Sequence, residues 1–233
     1  CGLPYEKKES FLNNLEEVLA YNPYHISLYS LCVEEETVLG NKICNKIIEY
    51  DYDFSDELWL CGKDLLEKNG YFQYEVSNFS IKGFECKHNL AYWNHKTYIG
   101  IGCGATGTEY NNDGTGIRIT NIKELNKYIE FWQNVNNPDN NCMIPIEKEV
   151  IDLDTSIFEF FMMGLRKNSG VSHEDFYNIF QKDIPQNIIE LFEKWQNKSL
   201  AEIIIKDNTT NYRLSKRGLL FLNKFLEELL SLN

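Results

Sequence analysis

The apolar positions of the first 79 residues alternate between helical and strand spacing. Residues 7–21 carry an apolar stripe at helical spacing, whereas 25–31 is short, apolar and partly β-branched, which is typical of a buried strand. A second helix is predicted from a cap at Ser55 or Asp56 to Gly70, and a second strand over 71–79. This alternation predicts right-handed crossovers, a parallel sheet and therefore an α/β class.

The middle of the chain is rich in aromatic residues and glycine. The stretch FECKHNLAYWNHKTYIGIGCGATG, residues 84–107, predicts a loop followed by a short strand (YIGIG) that enters a glycine-rich turn. The sequence NNDGTG at 111–116 is typical of a hairpin turn, with IRIT as the returning strand. Asn121 with Glu124 resembles a capping box and predicts a helix through Trp132.

The pattern changes after NVNNPDNN, residues 134–141, which is the best linker candidate. From there the apolar spacing predicts helices, then a β-hairpin, then a last helix, an order that resembles a winged helix. The predicted segments are a helix over 147–166, helices over 172–180 and 186–195, a hairpin over 201–215 and a final helix capped by Ser215.

Composition and charge exclude several classes of protein. The 233 residues are 43% hydrophobic and 25% charged, as in a soluble globular protein, and contain no apolar run long enough for a bilayer and no signal-peptide core. A net charge of -12 repels phosphate backbones, which argues against nucleic-acid binding over the whole chain. The seven cysteines lack any C-x-x-C spacing and are expected to be reduced thiols in the cytoplasm.

The glycine run GIGCGATG permits a close approach of the backbone to a ligand. Gly102, Gly104 and Gly107 match the spacing G-x-G-x-x-G, but a dinucleotide fingerprint requires a helix afterwards and a hairpin is predicted instead. A tight turn that lines a cofactor at the mouth of a sheet is the favoured interpretation.

The segment CKHNLAYW admits two interpretations. His88 or Cys86 can ligate a metal, and Tyr92 and Trp93 can stack on a flat macrocycle. The alternative is a solvated loop histidine beside aromatic residues that anchor the loop, and local evidence alone favours it. The other histidines are expected in ordinary positions: His25 satisfied in a turn, His95 solvated in a polar turn and His173 on a helix surface.

Four stretches taken together resemble one family: GLP, HISLYSLCVEEET, YEVSNFSIKGFECKHNLAYW and YIGIGCGATG. They are similar to the later part of the HemW haem chaperones, relatives of oxygen-independent coproporphyrinogen III oxidase in the radical S-adenosylmethionine superfamily. FMMGLRKNSGV and the pattern after it resemble the C-terminal domain of that family. The resemblance implies the C-terminal part of a partial TIM-like barrel over 1–135, followed by an α-rich, winged-helix-like domain over 145–233.

The resemblance also implies a function and a haem site. It points to a cytoplasmic chaperone that hands haem to apo-proteins, with peripheral membrane association left open. The family's HNxxYW box implies His88 as the candidate axial ligand of the haem iron, with Asn89, Tyr92 and Trp93 around it.

The family's radical chemistry needs a [4Fe–4S] cluster on a C-x-x-x-C-x-x-C loop, which this chain lacks. The expectation is therefore a C-terminal fragment or truncated product, with the cluster loop upstream of its first residue. For S-adenosylmethionine the resemblance implies Cys32, Gly102, Gly104 and Thr106, although family members commonly carry Thr in place of Cys32 and His in place of Thr106.

Two alternatives to the chaperone stay open. The first is an oxidase that decarboxylates the propionates of coproporphyrinogen III by radical chemistry, against which the HNxxYW box favours the chaperone branch. The second is a non-functional remnant with an incomplete barrel and exposed sheet edges.

Overall fold

The structure, a computed structural model, describes residues 1–134, 146–206 and 209–232. The chain divides into two units, Cys1–Cys86 and Lys87–Asn233. The predicted domain boundary between 135 and 145, most of the predicted linker and Cys142 lie outside the described residues, so this boundary stays a prediction.

The first unit packs helices against a small sheet. The stripe predicted over 7–21 forms a helix whose buried residues include Phe11 and Leu15, and these pack with Leu58, Leu66 and Phe79 in one core. The elements are α1 (Lys8–Ala20), β1 (His25–Ser27), α2 (Val38–Cys44), α3 (Tyr52–Lys68), β2 (Phe72–Glu75) and β3 (Asn78–Ser80), with strand order β1-β3-β2.

The predicted parallel pairing in this unit is wrong. The single strand expected over 71–79 is two strands, and β3 pairs antiparallel with both β1 and β2. The connection between β2 and β3 is two residues long, which can join antiparallel neighbours but not parallel ones.

The helix boundaries in this unit also differ from the expected ones. The cap of α3 is Asp51, whose carboxylate accepts a hydrogen bond from the Phe54 amide, and not Ser55, which lies buried inside the helix. Gly70 follows the helix with a φ of +83°, which confirms the predicted end. Helix α2 was not expected; the Thr37 hydroxyl caps it by accepting from the Gly40 amide.

Within the residues that the structure describes, the second unit contains two antiparallel three-stranded sheets, ordered β4-β5-β6 and β7-β9-β8. The hairpins predicted around 111–116 and over 201–215 are confirmed. The elements are α4 (Lys87–Trp93), β4 (Thr106–Tyr110), β5 (Gly116–Asn121), α5 (Leu125–Asn134), β6 (Ile146–Ile151), α6 (Leu153–Gly164), β7 (Val171–Ser172), α7 (His173–Phe180), α8 (Gln186–Gln196), β8 (Ala201–Lys206), β9 (Thr209–Leu214), a 3-10 turn (Gly218–Phe221) and α9 (Leu222–Leu230).

Four local predictions in this unit are wrong. The helix expected over 147–166 begins as strand β6, and α6 starts only after the cap Asp152. The YIGIG strand is reduced to one bridge between Tyr98 and Thr108, and part of the expected loop is helix α4. Asn121 is no helix cap, because it lies in β5 and its side chain holds the glycine turn.

The predicted order of helices, hairpin and helix holds at the C-terminal end of the chain. Its core is aromatic: the Phe161 ring lies 5.8 Å from Phe176 and 6.1 Å from Phe192, which lies 4.8 Å from Phe225. Ser172 caps α7 as expected. The Ser215 hydroxyl accepts from the Gly218 amide and so begins a 3-10 turn before α9.

Candidate functional site

The HNxxYW box forms the short helix α4, which places two of its aromatic rings together. His88 and Tyr92 are four residues apart and share a helix face; their ring centroids lie 4.9 Å apart at 87°. The Tyr92 ring in turn meets Tyr98 edge-on at 4.6 Å. His88 is exposed to solvent, and no hydrogen bond joins its imidazole to any other described residue. A ring nitrogen of His88 can therefore coordinate a metal ion from outside.

Trp93 belongs to a different face of α4. Five residues of α-helix turn through about 140° beyond a full circle, so Trp93 points away from His88. Its indole ring lies 5.3 Å from the guanidinium of Arg166, and its Nε1–H is buried without an acceptor among the described residues. The structure thus brings His88 and Tyr92 together but does not bring Trp93 to them; Asn89 is half-buried beside them on the helix.

The side chain of Asn121 holds the glycine turn, residues 100–107, through two hydrogen bonds. Its amide nitrogen donates to the carbonyl oxygens of Gly100 at 3.1 Å and Gly102 at 2.9 Å. Gly102 and Gly104 have φ values of +116° and +70°, a region that glycine adopts without strain. Side-chain hydrogen bonds thus fix the path of the turn, and a cavity of about 290 Å³ lies next to it.

The residues predicted for S-adenosylmethionine are divided between the two units. Gly102, Gly104 and Thr106 lie in the second unit, where the Thr106 hydroxyl is 3.0 Å from the hydroxyl of Thr120. Cys32 lies in the first unit, exposed, with its thiol 3.6 Å from the carboxylate of Glu34. Their joint role stays a prediction.

The described residues do not provide a site for an iron–sulfur cluster. Across residues 1–134, 146–206 and 209–232, no three side chains of His, Cys, Asp or Glu are gathered as a metal site requires. The six cysteines among them are free thiols.

His95 is buried, and its predicted exposure to solvent is wrong. It is 6% exposed because its ring stacks on Tyr110, with centroids 3.8 Å apart, in the interior of the second unit. The hydroxyl of Ser156 donates its one hydrogen to the Gly114 carbonyl, so His95 Nε2, 3.1 Å away, must carry a hydrogen and donate to Ser156. His95 Nδ1 is then a buried acceptor without a partner among the described residues.

The buried carboxylate Glu159 was also missed by the sequence analysis. Arg118 on β5 binds it at 2.6 Å and also reaches the exposed Glu149 at 3.0 Å. The Tyr110 hydroxyl lies 3.5 Å from Glu159, and burial together with that carboxylate raises the pKa of Tyr110 far above its ordinary value. This network joins the β4–β5 hairpin to α6.

The burial of His95 predicts an acid-sensitive stability. Desolvation lowers the pKa of His95 from 6.5 to about 4, so between these values the unfolded chain binds a proton that the folded chain does not. The free energy of unfolding is therefore expected to fall as the pH drops from 6.5 to 4, by roughly 3 kcal/mol from this group.

Urea unfolding at several pH values measures this effect against His95→Gln as the control. Glutamine cannot titrate, so the unfolding free energy of His95→Gln should fall less over the same pH interval, since the contribution of His95 is then absent. Equal slopes for the two proteins would show that His95 is not the titrating group.

The remaining two histidines have partners. Nε2 of His25, in β1, lies 3.0 Å from the Tyr74 hydroxyl. His173 lies on the surface, and its Nε2 is 3.1 Å from the carboxylate of Asp183. In the described part of the chain, no helix is both long enough and apolar enough to cross a membrane.

Comparisons with known proteins give one consistent result. Residues 151–221 match the HemN C-terminal domain. The chain is 33% identical over 204 residues to the heme chaperone HemW of Lactococcus lactis subsp. lactis, covering 87% of this chain and 48% of that protein. It is 33% identical over 234 residues to HemW of Buchnera aphidicola subsp. Acyrthosiphon pisum, covering 97% and 55%.

The fold is similar to a solved structure, coproporphyrinogen III oxidase (HemN) from Escherichia coli, described as a radical SAM enzyme. The TM-score is 0.68 at 16% identity, over 97% of this chain and 52% of that one. The chain thus spans about half the length of the curated relatives and of the structure that it matches.

Proposed function

This chain belongs to the HemW family over the half of those proteins that it spans, and from this premise we propose that it binds haem and serves in haem delivery. The observation that carries the proposal is the exposed His88 imidazole, which has no hydrogen-bond partner in the described part of the chain. Haem is the cargo in this proposal, and apo-proteins that accept it are the partners. The proposed setting is the cytoplasm.

Coordination of the iron is assigned to His88. A neutral imidazole is a common axial ligand of haem iron, and Tyr92 limits the rotation of this ring by edge contact at 4.9 Å. The Tyr98 ring in turn packs edge-on against Tyr92. We assign Tyr92 to the haem surroundings, with Asn89 beside it, and Trp93 to the support of α4 through Arg166.

A haem titration followed by absorbance tests this proposal. Purified chain is expected to bind ferric haem with a saturable shift of the Soret band. His88→Ala removes the ligand, so its apparent affinity is expected to fall by about tenfold or more. The haem affinity of Tyr92→Ala is expected to fall less, because His88 remains as the iron ligand.

His173→Ala is the matched control, because His173 is also a surface histidine of this unit and its loss should leave the spectrum unchanged. Identical Soret spectra for His88→Ala and the unaltered chain would exclude His88 as the ligand. The absence of saturable binding to the unaltered chain would remove the haem proposal itself.

Radical decarboxylation of coproporphyrinogen III is the second candidate, because the fold is similar to that oxidase. It requires S-adenosylmethionine, for which Cys32, Gly102, Gly104 and Thr106 are the proposed contacts, and an iron–sulfur cluster for which the described residues provide no site. An anaerobic assay with reductant and S-adenosylmethionine tests it; formation of protoporphyrinogen would rank the oxidase first. The remnant alternative predicts no cooperative thermal unfolding of the chain.

A further inference from the structure

A second cavity, of about 420 Å³, lies in the second unit among the end of α4, helix α6 and helix α7. This volume is within the range of pockets that hold small organic molecules. One wall is apolar and is formed by Trp93, Phe160 and Val171. Lys167 lies at its base and is only 8% exposed. The cavity therefore combines an apolar wall with polar side chains and a buried cation.

The base of the cavity contains hydrogen-bond donors that lack acceptors. The Lys167 ammonium donates one bond to the Asn94 side-chain oxygen at 2.5 Å, and an ammonium has three N–H groups. The other two N–H groups of Lys167 have no acceptor among the described residues. Buried donors without acceptors are costly, so a bound group with acceptor oxygens would be stabilised here.

The charge of the cavity selects the kind of acceptor. Lys167 at the base and Lys96 at the rim are positive, and the exposed Asp175 at the rim is negative, so the net charge is that of one cation. Asp175 opposes the effect of burial, which lowers the pKa of Lys167. One carboxylate balances this charge, whereas a phosphate dianion would exceed it and would meet an apolar wall.

We propose that this cavity binds a small organic carboxylate, with its oxygens on Lys167 Nζ and its apolar part against Trp93, Phe160 and Val171. The site is separate from the proposed haem ligand, because Trp93 and His88 lie on different faces of α4. The proposal therefore goes beyond the proposed function and does not depend on haem binding.

The indole N–H signal of Trp93 in a proton–nitrogen NMR spectrum reports directly on the site, and Trp93→Phe identifies that signal. The probes are acetate, benzoate and hexanoate, with hexanamide as the uncharged analogue of hexanoate. Saturable displacement of the Trp93 signal is expected with benzoate or hexanoate and not with hexanamide. Lys167→Met is expected to lower the affinity by at least about tenfold, since a charged hydrogen bond is lost.

Two further variants separate binding from folding. Lys167→Arg keeps the charge and should retain binding within a few-fold, and Lys182→Met, at an exposed position of the same unit, should leave binding unchanged. Three results would each overturn the proposal: no saturable shift with any of the carboxylates, equal binding of hexanamide, or unchanged binding by a folded Lys167→Met.

Discussion

Arg118→Ala is expected to lower the free energy of unfolding of the second unit by about 3–5 kcal/mol, because it leaves a buried carboxylate without its counter-charge. The Glu159 side chain is 8% exposed, and its Oε1 lies 2.6 Å from Arg118. Once the guanidinium is removed, the Tyr110 hydroxyl at 3.5 Å is the one hydrogen-bond partner of that carboxylate that remains among the described residues. One weak hydrogen bond does not replace an ion pair in a largely dry environment.

Denaturant unfolding monitored by circular dichroism measures this loss, and Glu149→Ala is the matched control. Glu149 binds the same arginine but is largely exposed, so its removal should cost less than about 1 kcal/mol. Similar losses for Arg118→Ala and Glu149→Ala would mean that the burial of Glu159 does not set the energy of this network.

Phe161→Ala is also expected to lower the free energy of unfolding by about 3–5 kcal/mol, because it leaves a cavity in a closely packed core. Phe161 is 0% exposed and packs against the rings of Phe160, Phe176 and Phe192. These neighbours belong to helices α6, α7 and α8, so they cannot collapse into the space without shifting whole elements.

Thermal and denaturant unfolding test this prediction against Phe221→Ala. Phe221 is a phenylalanine of the same unit that is 46% exposed, and its truncation should cost well under half as much. A loss below about 1 kcal/mol for Phe161→Ala would show that this core repacks, contrary to the expectation for dense aromatic packing.

The elements that the sequence predicted well are those with complete local signals. Helix α7 has its Ser172 cap and α8 has a regular apolar stripe; the hairpin between β4 and β5 has a turn rich in Asn, Asp and Gly. The failures occurred where local signals were ambiguous. Strand β6 and helix α6 are joined by one residue, so their apolar positions merged into one apparent helix.

The sequence named the residues of the candidate site, whose role stays a prediction, but it did not give their arrangement. The HNxxYW box identified His88 and Tyr92, and their contact follows from the helix that the segment forms. The local pattern of that segment predicts a loop, and a loop gives no reason to separate Trp93 from His88. The helical geometry supplies that reason, and the contact with Arg166 shows where the indole goes.

The residues that were missed have partners far away in the chain. His95 is hydrogen-bonded to Ser156, which lies 61 residues later in the sequence, and Arg118 is paired with Glu159, which lies 41 residues later. No spacing rule relates such positions, because their separation in sequence is set by how many residues the intervening elements use and not by any helical or strand period.

The amino-acid sequence alone determined the family resemblance, the order of most helices and hairpins, and the exposed histidine of the HNxxYW box, because these depend on neighbouring residues. Only the tertiary structure decided the antiparallel pairing of the first sheet, the burial of His95 and Glu159, and the cavity beside Lys167. These features depend on which distant surfaces exclude water from one another, and burial of that kind is a property of packed elements and not of any local pattern.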